Sequence, residues 1–514
     1  MKKLLLVNPR GFDLSNFTGG RWGMLPVTLP TVTALTPENW EVRVIDEYLE
    51  EKIDFDESFD VVGITVLPPQ YQRARRIAEE FRRRGVLVVV GGPFPSLSPD
   101  RCRDFADVLF IGRAERTWPK FCMDYLANQY EREYVDNNPV DFSLVPNADY
   151  RGFSPQALAS YTSAVVHIES GCPHRCDFCD AVIYSGNLLR IRPADKIIEE
   201  IEKLHELGIR AAFLATDDLL VNRAETKKTL RRLIEWQQAQ KEPMTFFTNI
   251  DIAVCRDTEF LELSAQAGVL TYLVGFESPN KESLFSVGKK VNLKHDSHTA
   301  VRTIFEHGIQ IYGYLMVGFD EDDLTIFQKQ VDFFQSLGLA WSNINVVDAR
   351  DGTVLKDRMV QEGRYVDFMV GGYGRPWGEI KPNNINLTSI IPKNMTVQQL
   401  RQGTYWTLKQ LCDWDNFKQR VKVFFETYEA SPKKNALTIP RQLPPKELPV
   451  PIRNFLATAS PDEKEAWEFT FGCGMRSSHP QGIGIAVRAF MPTLGLRRML
   501  AQQIPNMDEI TYPQ

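Results

Sequence analysis

The sequence predicts an α/β protein in three parts: a doubly wound N-terminal domain (1–130), a β/α barrel (161–350) and a mixed, mainly α C-terminal domain (351–514), with a linker at 131–160. Three observations predict this. Short, wholly apolar runs at 4–7, 42–45, 61–66, 86–90 and 108–111 alternate with helical stretches, the pattern of parallel strands buried on both faces. The alternation lapses over 128–161 and resumes at 165–168. Directly after that strand come Cys172, Cys176 and Cys179, spaced C-x3-C-x2-C.

The bulk numbers bound the class. A chain of 514 residues holds two to four domains. Its 43% hydrophobic and 25% charged residues are ordinary for a globular protein. Net charge is −6, so there is no basic excess for a nucleic-acid partner. The first apolar run stops after four residues at Asn8-Pro9-Arg10, too short for a secretory h-region. No apolar run approaches the roughly 18 residues of a membrane span. Eight cysteines without a leader argue against a secreted disulfide scaffold. The expectation is a cytoplasmic protein with no integral membrane association.

In the first domain the helical stretch 71–84 separates the third and fourth strands. Ligands of such sheets bind beyond the strands' carboxyl ends. The loops there are Leu67-Pro68-Pro69, Gly91-Gly92-Pro93-Phe94-Pro95-Ser96 and Gly112-Arg113-Ala114-Glu115. Glycines at strand ends let backbone approach a large planar ligand. No G-x-G-x-x-G fingerprint occurs, which disfavours a dinucleotide. In the linker, Asn137-Asn138-Pro139 and Val145-Pro146-Asn147 read as turns.

In the second domain further strands are expected at 211–214, 245–247, 271–276, 310–317 and 343–347. Helices are expected at 194–207, 224–240, 258–267, 295–307 and 324–337. The cysteine loop thus leaves a strand's carboxyl end, on the active face of a β/α barrel. Three thiolates can hold three irons of a [4Fe–4S] cluster and leave the fourth iron open. The alternatives are a zinc site, for which His174 would be a fourth ligand, and a redox C-x-x-C pair that leaves Cys172 idle. Cys102, Cys122, Cys255, Cys412 and Cys473 lack metal spacing.

The run Cys172-Pro173-His174-Arg175-Cys176-Asp177-Phe178-Cys179 resembles the motif of the radical S-adenosylmethionine (SAM) enzymes. Residues 1–350 resemble that superfamily's cobalamin-binding class, in which a Rossmann-like domain precedes the barrel. The resemblance implies a partial (β/α)6 TIM-type barrel. It implies three cofactors: a [4Fe–4S] cluster on Cys172, Cys176 and Cys179, SAM, and cobalamin. Thr216-Asp217-Asp218 stands in the place of the family's Gly-Gly-Glu-like motif for the SAM amino group; helix-capping loop acids are the alternative. Thr248 and Asn249 end the third strand, Gly275 and Glu277 the fourth, and Gly318 the fifth. Glu277 resembles the family's strand-end acid near SAM, Gly318 the segment beside the adenine, and Phe178 the position whose backbone meets it. Lys289-Lys290 would face the SAM carboxylate or be a solvated pair. Leu67, Pro68, Gly91, Gly92, Pro93 and Gly112 would line the cobalamin. The D-x-H-x-x-G signature is absent and no histidine precedes His167, so cobalamin would be bound without a histidine from this domain; a domain that has lost the cofactor is the alternative.

In that class an electron cleaves SAM to methionine and a 5′-deoxyadenosyl radical, and cobalamin usually hands on a methyl group. The implied function is methylation of an unactivated carbon of a small-molecule or lipid substrate, with an electron donor such as a flavodoxin or ferredoxin. The alternatives are radical oxidation, cyclisation or rearrangement with or without cobalamin, and a non-catalytic iron–sulfur carrier or sensor. No residue is assigned a catalytic role on the substrate.

Beyond 350 the signals thin. The turn near Gly352-Thr353 keeps only part of the family's Pro-Gly-Thr-Pro. The segment 383–411 is similar to a C-terminal extension of several cobalamin-type members, including hopanoid methylases. The runs 371–378 and 471–475 are Gly-rich and read as lids or surface turns. The Pro-rich stretch 432–451 reads as extended or linking, and 483–503 as an amphipathic helix for the core or a membrane surface.

Overall fold

The computed structural model describes residues 1–11, 23–49, 51–366, 388–434, 436–441 and 450–503. Its strands run in chain order β1 (Lys2–Asn8), β2 (Gly23–Leu25), β3 (Trp40–Asp46), β4 (Val61–Thr65), β5 (Leu87–Gly91), β6 (Val108–Gly112), β7 (Glu133–Asp136), β8 (Tyr161–His167), β9 (Glu169–Ser170), β10 (Arg190–Ile191), β11 (Ala211–Ala215), β12 (Thr245–Asn249), β13 (Val269–Glu277), β14 (Gln310–Val317) and β15 (Trp341–Val346).

The first sheet is all-parallel, ordered β3-β1-β4-β5-β6-β7. Successive side chains leave a strand on opposite faces, and the sequence uses both. Leu5, Val7, Val62, Ile64, Val88 and Val90 pack under helix Tyr71–Arg83, whose Ala74, Ile77, Ala78 and Phe81 are buried. Leu4, Leu6, Val61, Val89, Val108 and Phe110 pack on the other side against Trp118 and Phe121. That second core runs on without a break into the barrel. The short, polar β7 lies in the stretch read as linker, where it adds a parallel strand beyond β6.

The second sheet is ordered β15-β14-β13-β12-β11-β8-β2, and every neighbouring pair is parallel. The six expected strands are there within a few residues. Helices Ala194–Glu206, Arg223–Ala239, Thr258–Gln266, Ser297–Glu306 and Ile326–Leu337 connect them, giving the partial β/α barrel. The seventh strand, β2, is contributed by the segment before β3 and pairs with β8.

The C-terminal region is helical among its described residues: Val397–Leu411, Trp414–Ala430, Val450–Thr458, Pro461–Arg476 and Gly482–Gln503. The Gly-rich run 471–475 is neither lid nor turn. It lies inside helix Pro461–Arg476, where a Cβ on Gly474 would stand 2.5 Å from the Gly482 carbonyl oxygen, so the glycine serves close helix crossing. Helix Gly482–Gln503 buries Ile485, Ala489, Phe490 and Leu494 in the core, the packing alternative of the two. Arg420, 1% exposed, ties this region to the barrel: Nε donates to the Leu339 carbonyl at 2.8 Å and Nη1 to Gln335 Oε1 at 2.8 Å. The other Gly-rich run, 371–378, and residues 442–449 of the Pro-rich stretch lie outside the described residues.

Candidate active site

The cysteine loop is an excursion closed at its base. β9 pairs antiparallel with β10, Ser170 opposite Arg190 and Glu169 opposite Ile191. Gly171 turns the chain at φ 107°, and a Cβ there would strike the Leu188 carbonyl. Its amide donates to Asp217 Oδ2 at 2.8 Å. The Cys172 amide donates to the Gly186 carbonyl at 3.2 Å and the Cys179 amide to the Cys176 carbonyl at 3.1 Å. Between them, Asp177 is clamped from two sides: its amide donates to the Val287 carbonyl at 3.3 Å, and its carbonyl accepts from the Leu355 amide at 3.0 Å.

All three thiols are free and partly buried. Burial pushes Cys172 up to about 11 and raises Cys176 and Cys179 as well; nearby acids add to the effect on all three, and Cys179 adds to it on the other two. Three thiols on one closed loop that resist ionisation on their own are suited to a cationic metal group, which removes the proton on binding. This donor set fits an iron–sulfur cluster.

The expected strand-end residues converge on this loop in part. Thr216 donates its hydroxyl to Glu169, and the Asp218 amide donates to Thr216 Oγ1 at 3.1 Å. Asp217 is spent on the loop through Gly171. Asp218 Oδ1 accepts from the Leu220 and Asp251 amides at 3.1 and 3.0 Å, while Oδ2 lies 3.5 Å from His174 Nε2. The Asp218 carboxylate holds the His174 ring above its ordinary value. His174, Asp218 and Asp251 present ligand atoms within 4.8 Å of one another, a cluster able to receive a cation or an ammonium. Asn249 Nδ2 donates to the Thr216 carbonyl at 2.9 Å. Thr248 points the other way, fully buried, with its hydroxyl on the Leu214 carbonyl at 2.9 Å.

At the end of β13 the register slips between Gly275 and Glu277, and Glu277 adopts φ 62°. A non-glycine residue there stores backbone strain, and such strain collects at functional sites. The Glu277 side chain folds over Gly275, where a Cβ would collide with it, and lies 3.2 Å from Lys289 Nζ. Lys289 therefore faces a protein carboxylate, with Cys176 and Asp251 also near. Burial alone would lower its ammonium, but these negative neighbours outweigh it and raise it. Gly318, at φ 98°, and Phe319 donate their amides to Asp322 Oδ2 at 2.9 and 3.1 Å. Burial pushes Asp322 up to about 6. Phe178 packs edge-on to Phe319, ring centroids 6.2 Å apart.

The loops of the N-terminal sheet face the same region. Leu67 is 44% exposed beside Pro68, an apolar surface offered by a strand-end loop. Gly92, at φ 108°, brings its backbone against Val66, where a Cβ would be 2.9 Å from the Val66 nitrogen; Gly91 accepts from the Val66 amide at 2.8 Å. Pro93 opens helix Pro93–Leu97, which packs against Ala181–Ser185 behind the cysteine loop. Gly112, at φ 84°, donates to Ser96 Oγ at 2.9 Å. Exposed Ile183, Tyr184 and Leu188 extend the apolar surface on the barrel side. Partly exposed strand-end glycines and exposed apolar side chains on both sides fit a large flat ligand such as cobalamin.

Sequence reasoning missed the residues that join the two sides. Arg113 reaches from the first domain to Ser170 Oγ at 3.2 Å and to the Tyr184 and Ser185 carbonyls, both at 3.3 Å. Arg190 donates to the same Ser170 hydroxyl at 2.9 Å, and both guanidinium groups lie over the Phe142 ring. Burial, then the charges of Arg113, Arg192 and Arg190, push His167 down to about 4, so its ring is neutral. Glu169 was missed too; its only signal is an acid at the end of an apolar strand.

Residues 166–328 match the Radical SAM superfamily model, and residues 28–121 match the B12 binding domain. The chain is 27% identical over 349 residues to the hopanoid C-2 methylase of Rhodopseudomonas palustris, 67% of this chain and 66% of that protein. It is 26% identical over 374 residues to the bacteriochlorophyllide d C-12(1)-methyltransferase of Chlorobaculum tepidum, 71% of this chain and 80% of that one. It thus spans just under two thirds of the hopanoid methylase. The fold is shared with the radical SAM methyltransferase TsrM of Kitasatospora setae, solved with cobalamin and a [4Fe–4S] cluster bound: TM-score 0.61, 17% identity, 84% of this chain and 100% of that one. No helix among the described residues is long and apolar enough to cross a membrane. The chain thus carries a B12 binding domain followed by a radical SAM domain, the pairing of the cobalamin-dependent radical SAM class, whose cofactors are a [4Fe–4S] cluster, SAM and cobalamin.

Proposed function

We propose that this protein methylates an unactivated carbon of a small-molecule or lipid substrate, in the cytoplasm, with electrons from a carrier such as a flavodoxin or ferredoxin. One observation carries the reading: the Arg113 bridge and the packing of helix Pro93–Leu97 on Ala181–Ser185 put the glycine loops of the first sheet and the cysteine loop around one space. The methylase names of the relatives support the same outcome.

Cys172, Cys176 and Cys179 would hold the cluster. Asp218, Asp251 and Glu277 would receive the SAM ammonium, since carboxylates form strong charge-assisted hydrogen bonds in a dry site. Asp217, Thr216 and Asn249 would set the loop and the strand ends at the right height, and Phe178 and Gly318 would flank the adenine. Thr248 would act through the strand rather than by contact. Leu67, Pro68, Gly91, Gly92, Pro93 and Gly112 would bed the cobalamin. When bound, the cluster with SAM supplies a carbon-centred radical that takes a hydrogen atom, and cobalamin supplies the methyl group. The protein's own part is to align these groups and exclude water.

The test is anaerobic reconstitution with iron, sulfide and hydroxocobalamin, then incubation with SAM and a reductant. The expected results are retained corrinoid absorbance and formation of 5′-deoxyadenosine. A fully loaded cluster with no 5′-deoxyadenosine would reject the enzymatic reading; loss of all corrinoid on desalting would reject the methylation reading.

A further inference from the structure

The barrel interior has a composition that bears on the substrate, granted the proposed methylation at its mouth. Along β11, β12 and β14, buried residues alternate with partly exposed ones. The buried set packs under the helices, so the partly exposed set faces the interior, and large apolar groups there keep access to solvent only if the interior is open. Those groups are aromatic. Phe213 and Phe247 stand opposite each other in register on β11 and β12 and stack at 5.3 Å, 26° apart. Tyr312 and Trp341, paired on β14 and β15, meet edge to face at 4.5 Å. Tyr314 packs on Tyr312 at 4.7 Å and is in register with Gly275, beneath the Glu277 turn.

Charge is scarce on these walls. At the mouth Lys289 is paired with Glu277 at 3.2 Å; at the far end the buried Arg488 donates to Thr245 Oγ1 at 3.4 Å and has no partner for Nε or Nη2 among the described residues. A charged group placed between the aromatic walls, away from both ends, would lose its hydration for no partner. A flexible chain would lose rotamer freedom on entering, whereas a rigid ring system arrives with little to lose and stacks face-on.

We propose that the reacting part of the substrate is an uncharged, rigid, ring-bearing carbon skeleton held inside the barrel by Phe213, Phe247, Tyr312, Tyr314 and Trp341. The test is equilibrium dialysis of the full-length reconstituted protein against a labelled pentacyclic triterpene alcohol, an octadecanol of similar hydrophobicity, and free tryptophan. The triterpene alcohol is expected to bind at least tenfold more tightly than either of the others. Phe247→Leu and Trp341→Phe keep apolar bulk, so folding should survive, and each is expected to weaken that binding several-fold. Failure of the ring probe to bind, equal binding of the octadecanol, tighter binding of zwitterionic tryptophan, or wild-type affinity in both variants would overturn the proposal. The 5′-deoxyadenosine assay separates the two readings: its failure with ring binding intact rejects the proposed reaction alone, and its success without ring binding rejects the substrate class alone.

Discussion

The Glu277 carboxylate meets the Lys289 ammonium at 3.2 Å from a left-handed backbone, φ 62°. The pair is largely out of solvent, with 9% and 22% of the two side chains exposed. Removing one partner of such a pair strands the other's charge, which costs more than the pair itself contributes. Lys289→Met is therefore expected to lower unfolding stability by about 3 kcal/mol, and Glu277→Gln added to it should restore most of that loss. Urea denaturation of the single and double variants checks this. A double variant as unstable as the sum of the singles would show that the pair does not act as a unit.

Glu169 is 3% exposed, and burial pushes it up to about 7, with the charges of Asp218 and Asp217 adding to the rise while the Thr216 hydrogen bond opposes it. Its folded value lies above its unfolded one, so folding takes up a proton between the two. The contribution is full below pH 4.5 and is lost as the pH rises through about 7. Each tenfold change in proton affinity corresponds to roughly 1.4 kcal/mol, so up to about 3 kcal/mol is at stake. Glu169→Gln should flatten this fall. Stability measured from pH 5 to 8 that declines equally in wild type and variant would contradict it.

Two glycines in one helix should answer alanine in opposite senses. At Gly474 the new methyl would press on the Gly482 backbone oxygen at 2.5 Å; at Gly472 it would meet only the end of the flexible Arg476 side chain at 2.9 Å. Gly474→Ala is expected to cost about 1–3 kcal/mol through overpacking. Gly472→Ala should be neutral or gain up to about 1 kcal/mol of helix propensity. Thermal unfolding of the pair distinguishes them, and a Gly474→Ala protein as stable as wild type would mean the two helices can part at no cost.

Electron delivery should depend on the solvent side of the cysteine loop. Arg175 and Lys290 are exposed there, and Lys290 lies over the Phe285 ring, which is itself 66% exposed. An acidic carrier would be steered by such cations. Arg175→Glu with Lys290→Glu is expected to slow turnover at least fivefold with a flavodoxin as donor and leave the dithionite-driven rate unchanged. Equal rates with both donors would place docking elsewhere.

Much of the fold was legible because its strands are short, apolar and separated by helices, and β14 was read at its observed bounds. What escaped was short or polar. β2 spans only Gly23–Leu25, and Glu133–Asp136 sets just two bulky residues between two acids, so neither stands out from loop. The run 471–475 read as a turn because glycine breaks isolated helices; packing against Gly482 overrides that propensity. In the candidate site, residues carried by a motif or a strand end stood out in the sequence. Arg113, Glu169 and Tyr314 were not, because each acquires its meaning from a neighbour distant in sequence: Ser170, Thr216 and Gly275 respectively.

The three residues Gly23–Leu25 precede most of the first domain in the chain but hydrogen-bond to β8 of the second. The N-terminal segment thus lends a strand to the second sheet, in addition to the side-chain bonds between the halves. Cutting the chain between them would leave the barrel with a bare edge at β8. A barrel expressed on its own would therefore need this N-terminal strand supplied in trans before its sheet is complete.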